Sequence, residues 1–192
     1  MKLSTTILLI AAIFTASAQK HVYDIMLLGE KIGWAIAERI DKGAGVVEYK
    51  LNSSSQAHIF FVDKTSTLTY DVIYKNGKLF SSYCKIVKDD AVEVVNILWD
   101  GTKYIVKKGE EQFEMATPID FSALTMYFEE PVGRNGFFSE RLARSVEFIR
   151  NGKGVYSCRL DNGVLNIYRY QNGRLYELEL SKGVSITMKL VQ

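Results

Sequence analysis

Apolar and polar residues alternate with a period of two along most of this chain, the spacing of strands with one face buried. Tyr70, Val72 and Tyr74 share one face, and so do Val92, Val94 and Leu98. Val184, Ile186, Met188 and Leu190 line another, opposite Ser185, Thr187 and Lys189. Asn76-Gly77, Asp100-Gly101, Asn151-Gly152, Asn162-Gly163 and Asn172-Gly173 punctuate the pattern with dipeptides that readily take the positive φ of tight turns. Gly29, Gly43, Gly109 and Gly183 mark further corners. Segments of this kind number roughly a dozen. Short connections make sequential neighbours antiparallel, which is a meander. The predicted class is mainly β: a single curved antiparallel sheet, as a half-barrel or open barrel. A closed lipocalin-like barrel would satisfy the same strand count.

One segment departs from the pattern. Thr117-Pro118-Ile119-Asp120 offers a capping threonine, a proline at the first helical position and an acid in the first turn. Ile119, Leu124 and Phe128, with Phe121 and Tyr127, can form an apolar stripe before Pro131 stops it. This spacing predicts one short helix near residues 118–128, of about three turns. Ser139 to Arg150 is ambiguous at its start. Val146 and Phe148 then alternate with charge ahead of Asn151-Gly152, so its second half reads as a strand.

The first eighteen residues read as an address. Lys2 supplies a positive start, Ile7 to Phe14 an uncharged apolar run, and Ala16-Ser17-Ala18 the small residues a signal peptidase accepts. The run is shorter than the roughly 20 residues that span a bilayer, and no second stretch approaches that length. The division expected is a signal peptide over 1–18, cleaved before Gln19, and one β-rich domain over 19–192 with no transmembrane segment. A retained N-terminal anchor is the alternative. No cysteine follows the apolar run, so the usual point of lipid attachment is missing.

Composition narrows the function classes. An apolar content of 47% with 12% aromatic residues suits a packed core and argues against disorder. The formal charge of +2 includes Lys2 and leaves no basic excess for a phosphate backbone, so no nucleic-acid partner is expected. Cys84 and Cys158 would enter an oxidising compartment, where they could pair as a disulfide or remain two independent buried thiols. Each lies in a strand-like segment. With His21 and His58 they make too few ligands for a metal centre, and no phosphate-cradling glycine loop or zinc-binding motif is present, so no metal or cofactor is expected.

Catalytic machinery is equally thin. His21 falls at the expected mature terminus, where order is doubtful, and His58 falls on a strand pattern that turns it away from Ala57 and Ile59. Glu129-Glu130 could serve a carboxylate-dependent hydrolase, but adjacent acids need not converge. The more informative feature is a run of small residues. Between Val47 and Phe61 one face carries Tyr49, Leu51, Ser53, Ser55, Ala57, Ile59 and Phe61, large at both ends and small in the middle. Such a stretch lets a helix approach closely or leaves a cavity. The cavity reading predicts an apolar void lined by Ser53, Ser55, Ala57, Tyr127 and Phe128.

Several stretches together resemble a family of secreted bacterial proteins of unknown function. They are Tyr23-Asp24-Ile25 leading to Gly29-Glu30-Lys31-Ile32-Gly33, Tyr74-Lys75-Asn76-Gly77-Lys78-Leu79, and Trp99-Asp100-Gly101-Thr102-Lys103-Tyr104. Then come Tyr127-Phe128-Glu129-Glu130-Pro131 with Phe138-Ser139-Glu140, and Tyr168-Arg169-Tyr170-Gln171-Asn172-Gly173. The resemblance implies export to the periplasm of a Gram-negative cell and a curved antiparallel sheet, and it transfers no catalytic residue. A remoter similarity of layout is to half-barrel periplasmic lipoprotein carriers, which bind acyl chains in an apolar concavity. Three functions follow as expectations: a non-enzymatic envelope protein holding an apolar ligand or lipidated partner, a module that binds another envelope protein, or a hydrolase using carboxylates.

Overall fold

The computed structural model describes residues 17–59 and 62–192. The first half of the chain is an unbroken meander of eight strands: β1 (Ala18–Leu27), β2 (Glu30–Gly43), β3 (Val46–Ile59), β4 (Val62–Lys75), β5 (Lys78–Lys88), β6 (Ala91–Trp99), β7 (Tyr104–Lys108) and β8 (Glu111–Met115). After an insert that contains the small hairpin β9 (Gly136–Ser139) and β10 (Arg144–Glu147), five more strands follow: β11 (Ile149–Gly152), β12 (Val155–Arg159), β13 (Leu165–Gln171), β14 (Arg174–Lys182) and β15 (Val184–Leu190). The last strand returns to the first, with Ile25 opposite Met188 and Leu27 opposite Ile186. One antiparallel sheet of 13 strands results, in the order β11-β12-β13-β14-β15-β1-β2-β3-β4-β5-β6-β7-β8. Its end strands, β8 and β11, do not pair with each other, so the sheet is open.

Turn chemistry sets several of these registers. Asn76-Gly77 joins β4 to β5 with φ of 51° and 74°, and Asn172-Gly173 joins β13 to β14 with 53° and 75°. Two successive left-handed residues give the turn whose twist matches that of the flanking strands. The inward face of the sheet carries Tyr23 and Ile25 of β1, Leu51 of β3, Tyr70, Val72 and Tyr74 of β4, and Tyr156 and Tyr168 of β12 and β13, all buried. Strand β6 reverses the simplest reading of its pattern. Val92, Val94 and Leu98 do share a face, but Val92 is 60% and Leu98 50% exposed, while Val95 and Ile97 are buried. Both faces of this strand are apolar, and its pairing of Val95 with Cys84 and Ile97 with Ser82 decides between them.

Residues 116–148 fill the inward side of the sheet. Main-chain and ring contacts tie this insert to both wings: Leu79 N–H donates to Ile119 O at 2.8 Å, and the Tyr170 hydroxyl donates to Met126 O at 2.9 Å. Tyr127 meets Tyr23 edge-on, Phe128 lies against Tyr49, and Phe137 meets Tyr168. A single segment that touches β1, β3, β5 and β13 requires the sheet to curl around it. The insert is therefore a plug, and it supplies Ile119, Phe121, Leu124, Met126, Phe137, Phe138, Val146 and Phe148 to one continuous core.

The expected three-turn helix over 118–128 is reduced to one 3-10 turn, Thr125–Tyr127. The backbone groups a helix would use are taken by neighbours. Ile119 N–H donates to the Tyr104 hydroxyl, its carbonyl accepts from Leu79, Ala123 N–H donates to Phe138 O, and Phe138 N–H donates to Phe121 O. From Phe121 to Tyr127 every residue is buried or half-buried, so that stretch has no solvated face to oppose an apolar stripe. Among the described residues no helix is long and apolar enough to cross a membrane. The expected signal peptide lies almost entirely outside the described residues.

Candidate functional site

The insert leaves an apolar groove beside the open seam of the sheet. Its cavity is about 570 Å³ and runs from Met115 at the end of β8 to the β9–β10 hairpin. Ile119, Phe121, Phe137, Phe138, Ala143 and Val146 form its apolar walls. Charges sit at the rim and balance one another. Arg134 holds Asp120 at 3.3 Å and lies 4.3 Å from the centre of the Phe121 ring, while Arg144 holds Asp161 at 2.6 Å. The volume falls within the range of sites that enclose small ligands. The wall residues follow from the local fold: β9 pairs Phe137 with Val146 and Phe138 with Ser145, and an isolated bridge joins Ser122 to Phe138.

Immediately behind this wall is a buried polar cluster. Glu140 is fully buried, and its Oε1 accepts from Leu124 N–H at 3.3 Å. The Ser122 hydroxyl is close to both the Glu140 carboxyl and the Tyr74 phenol. Among the described residues, Glu140 Oε2, Ser122 Oγ and Tyr74 OH have no hydrogen-bond partner. Burial raises the pKa of Glu140, with Ser122 and the backbone amides of residues 140, 124 and 123 offsetting part of the rise. Tyr70, Tyr74, Cys84 and Tyr127 all feel its charge. Burial that these bonds only partly offset favours the neutral carboxylic acid over the carboxylate.

The residues singled out from sequence are brought together only in part. Ser53, Ser55 and Ala57 are half-buried along β3 and line neither this groove nor the cavity at the start of β1 described below. Beside them the backbones of β2 and β3 approach closely. Gly33 of β2 lies opposite Ser55, and a Cβ there would fall on the Ser54 carbonyl and the Ser55 backbone. Tyr127 is packed into the core, and Phe128 stacks on His21 with ring centres 4.9 Å apart. Phe61, which completed the expected face, lies outside the described residues.

Cys84 and Cys158 are both free and buried. Burial pushes the Cys84 thiol up to about 12 and the Cys158 thiol up to about 11. Each sits beside a tyrosine, Tyr70 and Tyr168 respectively. Glu129 is exposed, and Glu130 instead accepts from the Tyr156 hydroxyl at 3.0 Å. His58 is exposed and contacts Asp63. His21 corrects the expectation of a loose terminus: it is 7% exposed, and its Nδ1–H donates to Tyr127 O at 2.9 Å.

In the sequence the groove residues Ile119 and Phe121 fit the stripe of a helix, and no local motif marks Glu140 as chemistry. Glu140 nonetheless carried a signal, since Phe138-Ser139-Glu140 is one of the stretches on which the family resemblance rests.

No curated protein matches the chain. Among solved structures, a β-barrel-like protein of a domain of unknown function, DUF1849, from Brucella abortus is similar over 90% of this chain and 95% of its own, with a TM-score of 0.58 and 14% identity. At that identity the likeness is one of fold. A family profile, DUF6134, a domain of unknown function, matches residues 23–191 and so covers nearly all of the described sheet. The chain belongs to the DUF6134 family.

Proposed function

We propose that this protein is a non-enzymatic component of the bacterial cell envelope that accommodates an apolar chain, either a free lipid or the acyl part of a lipidated partner, in the groove beside the open seam. The observation that carries the reading is the groove itself, about 570 Å³ with aromatic and aliphatic walls. A concave, apolar-lined cavity of that size suits a small apolar ligand. Export through the leader over 1–18 would place the protein in the periplasm, where acyl chains must cross water. The site differs from the one expected from sequence, having moved from the small residues of β3 to the insert.

A second reading is favoured by a separate observation. The edges of β8 and β11 are unpaired, and they expose Phe113 at 37% and Ile149 at 70%. Such an edge can accept a strand from another envelope protein. Native mass spectrometry of the protein purified without detergent from its exporting cell, followed by organic extraction, separates the two. A stoichiometric apolar adduct is the expected result. A clean apo mass, with no uptake of added fatty acid or phospholipid, would shift the weight to strand addition.

A further inference from the structure

The start of β1 and the β13–β14 turn enclose a second cavity of about 340 Å³, lined by Lys20, His21, Phe128, Asn172, Gly173 and Arg174 among others. Its chemistry is unlike that of the groove. Two cations face it and no carboxylate does. Among the described residues Arg174 has no acidic partner, and Lys20 has only Glu38, at 4.0 Å. We propose that this cavity is a binding site for a small oxyanion of the phosphate or carboxylate class.

The argument rests on how the cavity is built. His21 is held rigidly, with its Nδ1–H on the Tyr127 carbonyl and its ring stacked on Phe128. A carbonyl can only accept, so the proton on Nδ1 is assigned by that bond and Nε2 is the nitrogen left for a ligand. Phe128 forms an apolar wall beside it. Arg174 lies close enough for its charge to act on both His21 and the Tyr23 phenol. The groups that face His21 are Tyr23 from its own strand, Tyr127 from the plug and Arg174 from the β13–β14 turn, and none is an acid. Two cations, of which Arg174 has no acidic partner among the described residues and Lys20 only the distant Glu38, attract an anion into a partly enclosed site more strongly than onto open surface. An arginine fork also suits the paired oxygens of phosphate and carboxylate.

Occupancy is coupled to a proton. Burial, and secondarily Arg174, lower the pKa of His21 in the empty cavity, against the bond to Tyr127 that raises it. An oxyanion accepts a hydrogen bond only from a protonated Nε2, and its charge offsets that of Arg174, so binding raises the His21 pKa.

The chain has two histidines, and this makes the test direct. Imidazole resonances of His21 and His58 are followed by NMR during titration with inorganic phosphate at constant ionic strength, and separately with phosphatidylglycerol vesicles. The exposed His58 serves as internal reference. The expected result is a saturable shift of His21 alone, a higher His21 pKa with ligand bound, and at least tenfold weaker binding in Arg174→Gln. Saturation by phosphate identifies a free anion. Saturation by vesicles alone, lost in Arg174→Gln, identifies a lipid headgroup. Equal, non-saturating changes at both histidines would overturn the proposal, as would identical titrations of the wild type and Arg174→Gln.

Discussion

Glu140 shows at the residue scale how the plug is held against the sheet. Its carboxyl caps the amides at the start of the 3-10 turn, yet its second oxygen has no partner among the described residues, and burial raises its pKa. The sign of the pH dependence follows. The folded state holds this proton more tightly than the unfolded chain, whose ordinary value is 4.5. Stability from this group is therefore fully present below 4.5 and is lost as pH rises through the raised folded value. Glu140→Gln keeps the shape and removes the titration. Urea denaturation across pH should show wild-type stability falling above 4.5, with that slope absent in Glu140→Gln. Equal slopes in the two proteins would show that Glu140 is not the titrating group.

At the scale of elements, the junction of β7 with the plug is the contact most exposed to test. The Tyr104 hydroxyl donates to Leu79 O at 2.9 Å and accepts from Ile119 N–H at 3.2 Å, so one atom links β5, β7 and the first wall residue of the groove. Tyr104→Phe leaves a buried amide and a buried carbonyl with one fewer partner each and should cost about 1–3 kcal/mol. Hydrogen exchange should show the Ile119 amide losing protection while β1 and β2 keep theirs. Uniform loss across the sheet would mean that the plug and sheet open as one unit. The strands were legible because Asn-Gly turns and period-two alternation are local signals, as in Tyr70, Val72 and Tyr74. The helix was misread because Thr117-Pro118 and the spacing of Ile119, Leu124 and Phe128 are local signals too, and there the partners that override them, Leu79, Tyr104 and Phe138, lie far along the chain. The face of β6 was undecided for the same reason, since only its pairing with β5 distinguishes Val95 from Val94.

For the molecule as a whole, curvature and the site depend on long-range pairing that no local pattern encodes. The β1–β15 pairing joins the two ends of the chain, makes one sheet from two meanders and leaves β8 and β11 as the seam. A mainly β fold with one curved sheet could be anticipated, but the location of its opening could not. The small residues of β3 suggested a cavity, whereas the groove formed where the plug meets the seam. Binding of an apolar chain in this groove is what remains to be measured. The most direct measurement is isothermal titration calorimetry with 1-dodecanol, whose head group is uncharged, comparing the wild type with Ser145→Trp, a substitution at an exposed rim position opposite Phe138 that would fill the groove. One saturable site is expected in the wild type, with at least tenfold weaker binding in Ser145→Trp and unchanged melting temperatures without ligand. Binding that is absent from the wild type, or equally strong in Ser145→Trp, would contradict it.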